Sequence, residues 1–132
     1  MTATDHAVEL VVAAARAASD KLATQIVAFD VSEQLAITDA FVIASGSNDR
    51  QVKSIVDEVE DKLREVGAKP IRREGERDGR WVLIDYGEIV VHVQHEEERQ
   101  FYALERLWRD CPTIKLPADV TSGNTAPPSV DG

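Results

Sequence analysis

Nowhere in these 132 residues do about 18 apolar residues run together, so no segment reads as a membrane span. The most apolar early stretch, AVELVVAAA (7–15), is interrupted by Glu9 and preceded by Asp5. It lacks the basic flank of a signal peptide and the Arg-rich character of a transit peptide. A single cysteine, Cys111, excludes an internal disulfide and fits a reducing compartment, so the expected location is cytoplasmic. Positive charge is also short: 15 basic against 24 acidic side chains give a net charge of −9. Each half carries twelve acids, with six bases in 1–66 and nine in 67–132, so the deficit is global. Such a chain repels phosphate backbones at long range. Little direct nucleic-acid contact is expected, and a basic protein partner is permitted.

Several motifs are missing as well. The run FVIAS (41–45) ends in Ser45-Gly46-Ser47 and a helix pattern opens at once, as where a helix N-terminus cradles phosphate. Neither a P-loop with its lysine nor G-x-G-x-x-G is present. A Gly-Ser pair entering a helix also opens the nucleotidyltransferase site, which needs two metal-binding carboxylates soon afterwards on an adjoining strand. The carboxylates that follow, Asp57, Glu58, Glu60 and Asp61, fall on the helix, and Asp85 has no D-x-D partner because residue 87 is Gly. In HVQHEE (92–97), His92 and His95 are three apart on or just past a strand and point to opposite faces, and the H-E-x-x-H zinc spacing is absent. Cys111 precedes Pro112 without a catalytic partner nearby and reads as a packed thiol. No catalytic residue, metal site or cofactor is expected.

What is present is strong periodicity, in an apolar content of 43% that suits one compact core. Val8, Val11, Val12, Ala15, Ala18 and Leu22 fall at helical spacing and predict a helix near 4–22. QIVAFDV (25–31) reads as a strand. DAFVIAS (39–45) reads as a strand buried on both faces. Val52, Ile55, Val56, Val59, Leu63 and Val66 predict the clearest helix, with Asn48 and Gln51 as its capping box and Gly67 as its stop. KPIRREG (69–75) starts a third strand, ERDG (76–79) is a turn, and RWVLIDY and EIVVHVQ form two more strands around Tyr86-Gly87. A long helix over 96–110 follows, with three glutamates on its positive N-terminal dipole. The order α-β-β-α-β-β-β-α mixes a helical connection with hairpins. It predicts an α/β (α+β) fold, a mixed sheet of about five strands with helices packed on it. Residues 1–116 form the single domain, and the Pro-, Gly-, Ser- and Thr-rich 117–132 should be a disordered tail.

A two-residue turn at Tyr86-Gly87 pairs Asp85 with Glu88, Leu83 with Val90 and Trp81 with His92. One face of the hairpin then carries Val82, Ile84, Tyr86, Ile89, Val91 and Val93, a core face. The other carries Trp81, Leu83, Asp85, Glu88, Val90 and His92. An aromatic, two aliphatics, two carboxylates and an imidazole suit neither a buried layer nor a fully solvated one. The mixture fits a recognition patch with an apolar centre and polar rim. It equally fits a sheet face covered by the chain's own helix or by a second subunit.

Three separated blocks, SEQLAITDAFVIASGSNDRQVKSI, WVLIDYGEIVVHV and EEERQFYALERLW, resemble in their order the Iojap-like ribosomal silencing factors. The resemblance covers roughly Leu22 to Trp108. Departures are few: Ala40 stands where an aromatic or another apolar residue is common, Asn48-Asp49 replace smaller polar residues before Arg50, and the tail beyond Lys115 matches nothing general. The resemblance implies a nucleotidyltransferase-like fold without catalysis. It implies a homodimer that binds protein L-fourteen of the large ribosomal subunit, blocks joining of the small subunit and reduces translation when nutrients are short. On that reading the face bearing Trp81, Leu83, Asp85, Glu88 and His92 makes the contact, with Trp81 as buried anchor and the carboxylates meeting Lys or Arg. A minimal nucleotidyltransferase is the competing enzymatic reading, and a homodimer interface at Trp81 is a third.

Overall fold

Residues 3–75, 80–102 and 104–121 are described in a computed structural model. Asp5–Asp20 forms α1, capped by Thr4, whose hydroxyl accepts from the Ala7 N–H at 3.0 Å. Its buried face is mostly alanine: Ala7, Ala14, Ala15, Ala17 and Ala18 join Leu10 and Val11. Val8 and Val12 are only half-buried. Leu22 lies past the helix end in a left-handed turn (φ 63°) and is 78% exposed. Thr24–Asp30 forms β1 and Ala40–Gly46 forms β2, buried along its whole length as the continuous apolar run requires.

Asp49–Glu65 forms α2, with Val52, Ile55, Val56, Val59 and Leu63 inward. Val66, at its C-cap, is exposed instead. Asn48 Oδ1 accepts from the Gln51 N–H at 2.8 Å, while Gln51 Oε1 reaches back to the N–H of Ser47 at 2.7 Å, one residue earlier than in a standard capping box. The Gln51 amide nitrogen also donates to the carbonyls of Lys21 and Leu22, at 2.9 and 3.1 Å, which ties the end of α1 to the start of α2. Gly46 makes this junction tight: a Cβ there would lie 3.1 Å from both Val52 N and Val52 Cγ2.

The third strand, expected from residue 69, is short: Pro70 cannot donate to a ladder, and only Arg72–Glu74 pairs as β3. The expected turn over 76–79 lies outside the described residues. Trp81–Asp85 (β4) and Ile89–His95 (β5) form the antiparallel hairpin. Glu96–Tyr102 (α3) and Leu104–Leu107 (α4) supply helical backbone, but it ends before residue 110. Trp108–Cys111 closes a turn (Cys111 N–H to Trp108 O, 2.9 Å), because Pro112 disfavours helical backbone at the residue before it.

The sheet order is β1-β2-β5-β4-β3, with β2 and β5 parallel and every other pair antiparallel. Helices α1 and α2 cover one face, where Ala40, Val42 and Ala44 of β2 meet the alanine side of α1 in one continuous core with Ile84 and Val91. Small residues on both sides let helix and strand approach closely. The opposite face carries Phe29, Phe41, Ile43 and Val90, packed by Cys111 and by half-buried Leu35, Trp81, Leu83 and Trp108. The outer edge of β1 is blunted by 112–114, where Asp30 N–H donates to Pro112 O and Ile114 N–H to Ala28 O.

The hairpin register differs from expectation by two residues: Trp81 opposes Gln94, Leu83 opposes His92 and Asp85 opposes Val90. The turn is Gly87-Glu88, closed by Tyr86 N–H to Ile89 O at 2.9 Å. Gly87 takes φ +86° while Glu88 stays at negative φ, the type II′ pattern; a Tyr86-Gly87 turn would have forced a positive φ on tyrosine. The domain boundary expected at 116 also shifts. Ala118–Thr121 forms α5, Val120 is 1% exposed within the main core, and Arg16 lies 3.4 Å from Asp119. The rest of the expected tail, 122–132, lies outside the described residues.

Candidate functional site

Because a slip of two preserves strand alternation, Trp81, Leu83, Asp85, Val90 and His92 still share the face away from α1 and α2. Aromatic contacts organise its centre. Phe41 meets Trp108 edge-on at 5.1 Å between centroids and His92 at 5.0 Å, and Trp81 lies 6.2 Å from His92. The Trp81 indole N–H faces His92 Nδ1 at 3.3 Å. Indole can only donate, so Nδ1 accepts and the neutral imidazole carries its proton on Nε2. Burial depresses the His92 pKa to about 4, so the ring is neutral at physiological pH.

This corrects the expected role of His92: at 6% exposure it is a floor beneath Trp81, not a rim residue open to a partner. Glu88 is also displaced. As the second turn residue it leaves strand alternation, and its carboxylate meets His6 Nδ1 at 2.7 Å, at the start of α1 on the opposite layer. Asp85 stays on the face but is occupied: one oxygen accepts from Gly87 N–H at 2.8 Å and the other lies 3.5 Å from Arg72 Nε. Trp81 and Leu83 remain half-buried and line a groove of about 290 Å³ with Glu74 and Gly75. Phe41 and Trp108 were missed as site residues because Phe41 reads as generic strand core and Trp108 arrives from a distant segment. For Phe41 the available signal was its spacing from Ile43, which put both on one strand face.

A second location lies at the carboxyl ends of β2 and β5. From β2 the chain passes to α2 over one layer; from β5 it passes to α3, whose Arg99 reaches Ser45 on the other. Open α/β sheets take ligands at such a divergence. The crevice measures about 710 Å³ and is lined by Asn48, Asp49, Arg50, Arg80, His95 and Glu97. Its charges oppose one another: Arg80 is bound to Glu97 and Glu98 at 2.7 and 2.8 Å, and Asp49 sits beside Arg50. His95 turns one ring nitrogen to the backbone, its Nδ1 accepting the Glu97 N–H at 3.1 Å. Three of the α2 carboxylates form ion pairs of their own, Glu58 with Lys62, Glu60 with Arg73 and Asp61 with Arg64. Asp85 is level with Val90 while Gly46 is level with His95, so five residues of strand, roughly 17 Å, separate that carboxylate from the Gly-Ser loop. Among the described residues, no three His, Cys, Asp or Glu side chains group to hold a metal ion.

Arg99 escaped sequence reasoning entirely. It is 3% exposed and donates to Ser45 Oγ at 2.7 Å and to the Gln25 carbonyl at 2.6 Å, so it pins α3 to the sheet. Gln25 sits in the β1 bulge at φ 54°, which turns its carbonyl toward Arg99. Cys111 is a packed thiol: burial pushes its pKa up, helped by Asp110, Asp30 and Glu33.

Among the described residues, no helix is long and apolar enough to cross a membrane. The family described as ribosomal silencing factor during starvation matches residues 4–130. The chain is 44% identical over 108 residues to the ribosomal silencing factor RsfS of Halalkalibacterium halodurans, covering 82% of this chain and 92% of that protein. It is 32% identical over 111 residues to the chloroplastic protein Iojap of Zea mays, covering 82% of this chain and 47% of the plant protein. A crystal structure of a Chromobacterium violaceum protein superposes with a TM-score of 0.74 at 35% identity, covering 76% of this chain and 84% of that one. Sequence match and shared architecture agree, and the chain belongs to the Iojap-like ribosomal silencing factor family.

Proposed function

We propose that this protein docks its Trp81–Leu83 sheet face on a basic protein of the large ribosomal subunit, L-fourteen, and thereby sterically blocks joining of the small subunit, lowering translation under nutrient limitation. The observation that carries the reading is the half-finished state of that face. One side of the sheet is closed by α1 and α2, whereas Trp81, Leu83, Leu35 and Trp108 on the other remain only half-buried. An aromatic anchor beside aliphatic neighbours and charged margins is the composition of an interface centre and its rim. The net charge of −9 favours a cationic partner and disfavours direct contact with rRNA. The family's name supports the ribosome as the setting. The mechanism needs neither cofactor nor covalent chemistry, and it places the protein in the cytoplasm.

Co-sedimentation tests the reading. The purified protein should pellet with isolated large subunits and not with assembled ribosomes. Equal recovery with both, or with neither, would overturn it. A homodimer that uses the Trp81 face is the competing occupant. It would show as a dimer in solution that Trp81→Ala dissociates without changing recovery on large subunits.

A further inference from the structure

Two buried side chains on the docking face have unmet hydrogen-bonding groups. Gln94 is 0% exposed, and neither its Nε2 nor its Oε1 has a partner among the described residues; the same holds for His92 Nε2. Both project from β5 toward the side that carries Trp81. A buried polar group without a partner bears its full desolvation cost, so native structures keep few and each calls for an explanation; the Tyr86 hydroxyl on the other face is a single such group. Here three such atoms lie two residues apart on one strand face. The nearby buried pair Ser45 and Arg99, by contrast, satisfies itself.

Trp81 is what stands beside them. It opposes Gln94 across the ladder and leans back to His92 Nδ1, so its indole runs along the strip that joins the two. The hydrogen bond is long, at 3.3 Å, the ring is tilted 48° to the imidazole, and a groove of about 290 Å³ at Glu74, Gly75 and Leu83 adjoins the indole.

We infer that Gln94, with His92, forms a concealed polar floor of the docking face, which takes up a peptide group of an extended partner segment when Trp81 turns aside. The chemistry fits one backbone unit. Gln94 Oε1 accepts a peptide N–H, and Gln94 Nε2–H or His92 Nε2–H donates to a peptide C=O. Such a floor gives specificity: a segment unable to reproduce both bonds leaves buried groups unpaired and is rejected. The inference rests on the docking reading and adds to it the groups that discriminate between partners.

Gln94→Met keeps length and volume while removing both polar atoms, and Gln94→Leu repeats the test should methionine pack poorly. Each variant is measured by chemical denaturation and by binding to isolated large subunits, beside Trp81→Ala. The expected result is a crossing. The denaturation midpoint rises or holds, because an unmet buried group is gone, while affinity for large subunits falls at least about tenfold, or about 1.4 kcal/mol. Unchanged affinity for both Gln94 variants, with Trp81→Ala still weakened, overturns the polar floor and leaves the docking face standing. A lowered midpoint, or failure of both Gln94 variants to fold, shows that the free protein already satisfies the amide, as with an enclosed water, and also overturns it. Unchanged affinity for all three variants removes the docking face and the floor together.

Discussion

The two faces of the sheet are built from the same strands to opposite standards. Beneath α1 and α2 the buried core is aliphatic apart from the edge tyrosine Tyr86, and at its margin Arg73 of β3 pairs with Glu60 of α2. On the other face the same strands carry Trp81, Asp85, His92 and Gln94 between their apolar residues, and the described cover includes Leu35, Trp108 and Cys111 from irregular segments beside Arg99 of α3. A self-sufficient core needs no polar atom. A face that retains an imidazole, an amide and a half-buried indole gives up stability for some other use. The difference teaches where to look for function in a fold whose crevice has Arg80 already bound to Glu97 and Glu98.

The contrast is broken most forcefully from the closed side. Ile84→Ala empties a fully buried site and should cost about 2–5 kcal/mol of folding stability. The fraction that remains folded should bind large subunits as the parent does. Chemical denaturation and binding corrected for folded protein separate the two effects. Lost affinity in the folded fraction would mean that the faces are not independent.

Trp81→Ala should behave in the opposite sense. Half-buried and outside the main core, it should cost less than about 2 kcal/mol of stability by area lost, but about 2–4 kcal/mol of binding, as truncated interface anchors do. If the protein stays folded and still blocks subunit joining at parent concentrations, the proposed site is wrong, although the family membership stands.

Strand parity was the part of this contrast legible in the sequence. Trp81, Leu83, Asp85 and His92 alternate away from Val82 and Ile84 in any register that slips by an even number, so the face survived a wrong turn position. The helices and buried β2 were equally legible, from period and from continuous apolar runs. The exposure of each residue was not, because it depends on what arrives from elsewhere. His92 is enclosed by Phe41 and Trp81, and Glu88 is drawn to His6 across 82 residues. Arg99 has no local signature either: it follows three glutamates and reads as part of a solvated helix turn. Only a tertiary path buries it against Ser45.

Acid should weaken the open face before the closed one. His92 is neutral when folded, with a pKa of about 4, whereas an unfolded histidine takes its proton near 6.5. Between those values the unfolded chain binds a proton that the folded chain does not. The stabilisation is therefore complete above about pH 6.5 and is lost as pH falls toward 4. That gap corresponds to at most about 3 kcal/mol. Denaturation of the parent and of His92→Phe across pH 7 to 4 isolates the contribution. The variant's profile should be flatter by up to that amount, and coincident profiles would show that the imidazole is protonated in place without cost.

The smallest expected effect sits on the rim. Asp85 is half-buried, and its charge is shared with Arg72, which also meets Glu74 at 3.1 Å. Asp85→Asn keeps an oxygen for the Gly87 N–H, so the turn and its fold should persist, with a stability change inside about 0.5 kcal/mol. Binding should weaken by less than about 1 kcal/mol, because a half-buried carboxylate already shared with the Gly87 N–H and Arg72 has little left to offer a partner. Its signature is the salt dependence of affinity, which should flatten if Lys or Arg lies opposite. Measuring affinity for large subunits at several ionic strengths therefore tells more than one value at fixed salt. An unchanged slope with reduced affinity would assign Asp85 to shaping the Gly87 turn. A flatter slope would place the cationic side of the partner at the Arg72 end of the face, leaving Trp81 and Leu83 to supply the salt-insensitive part.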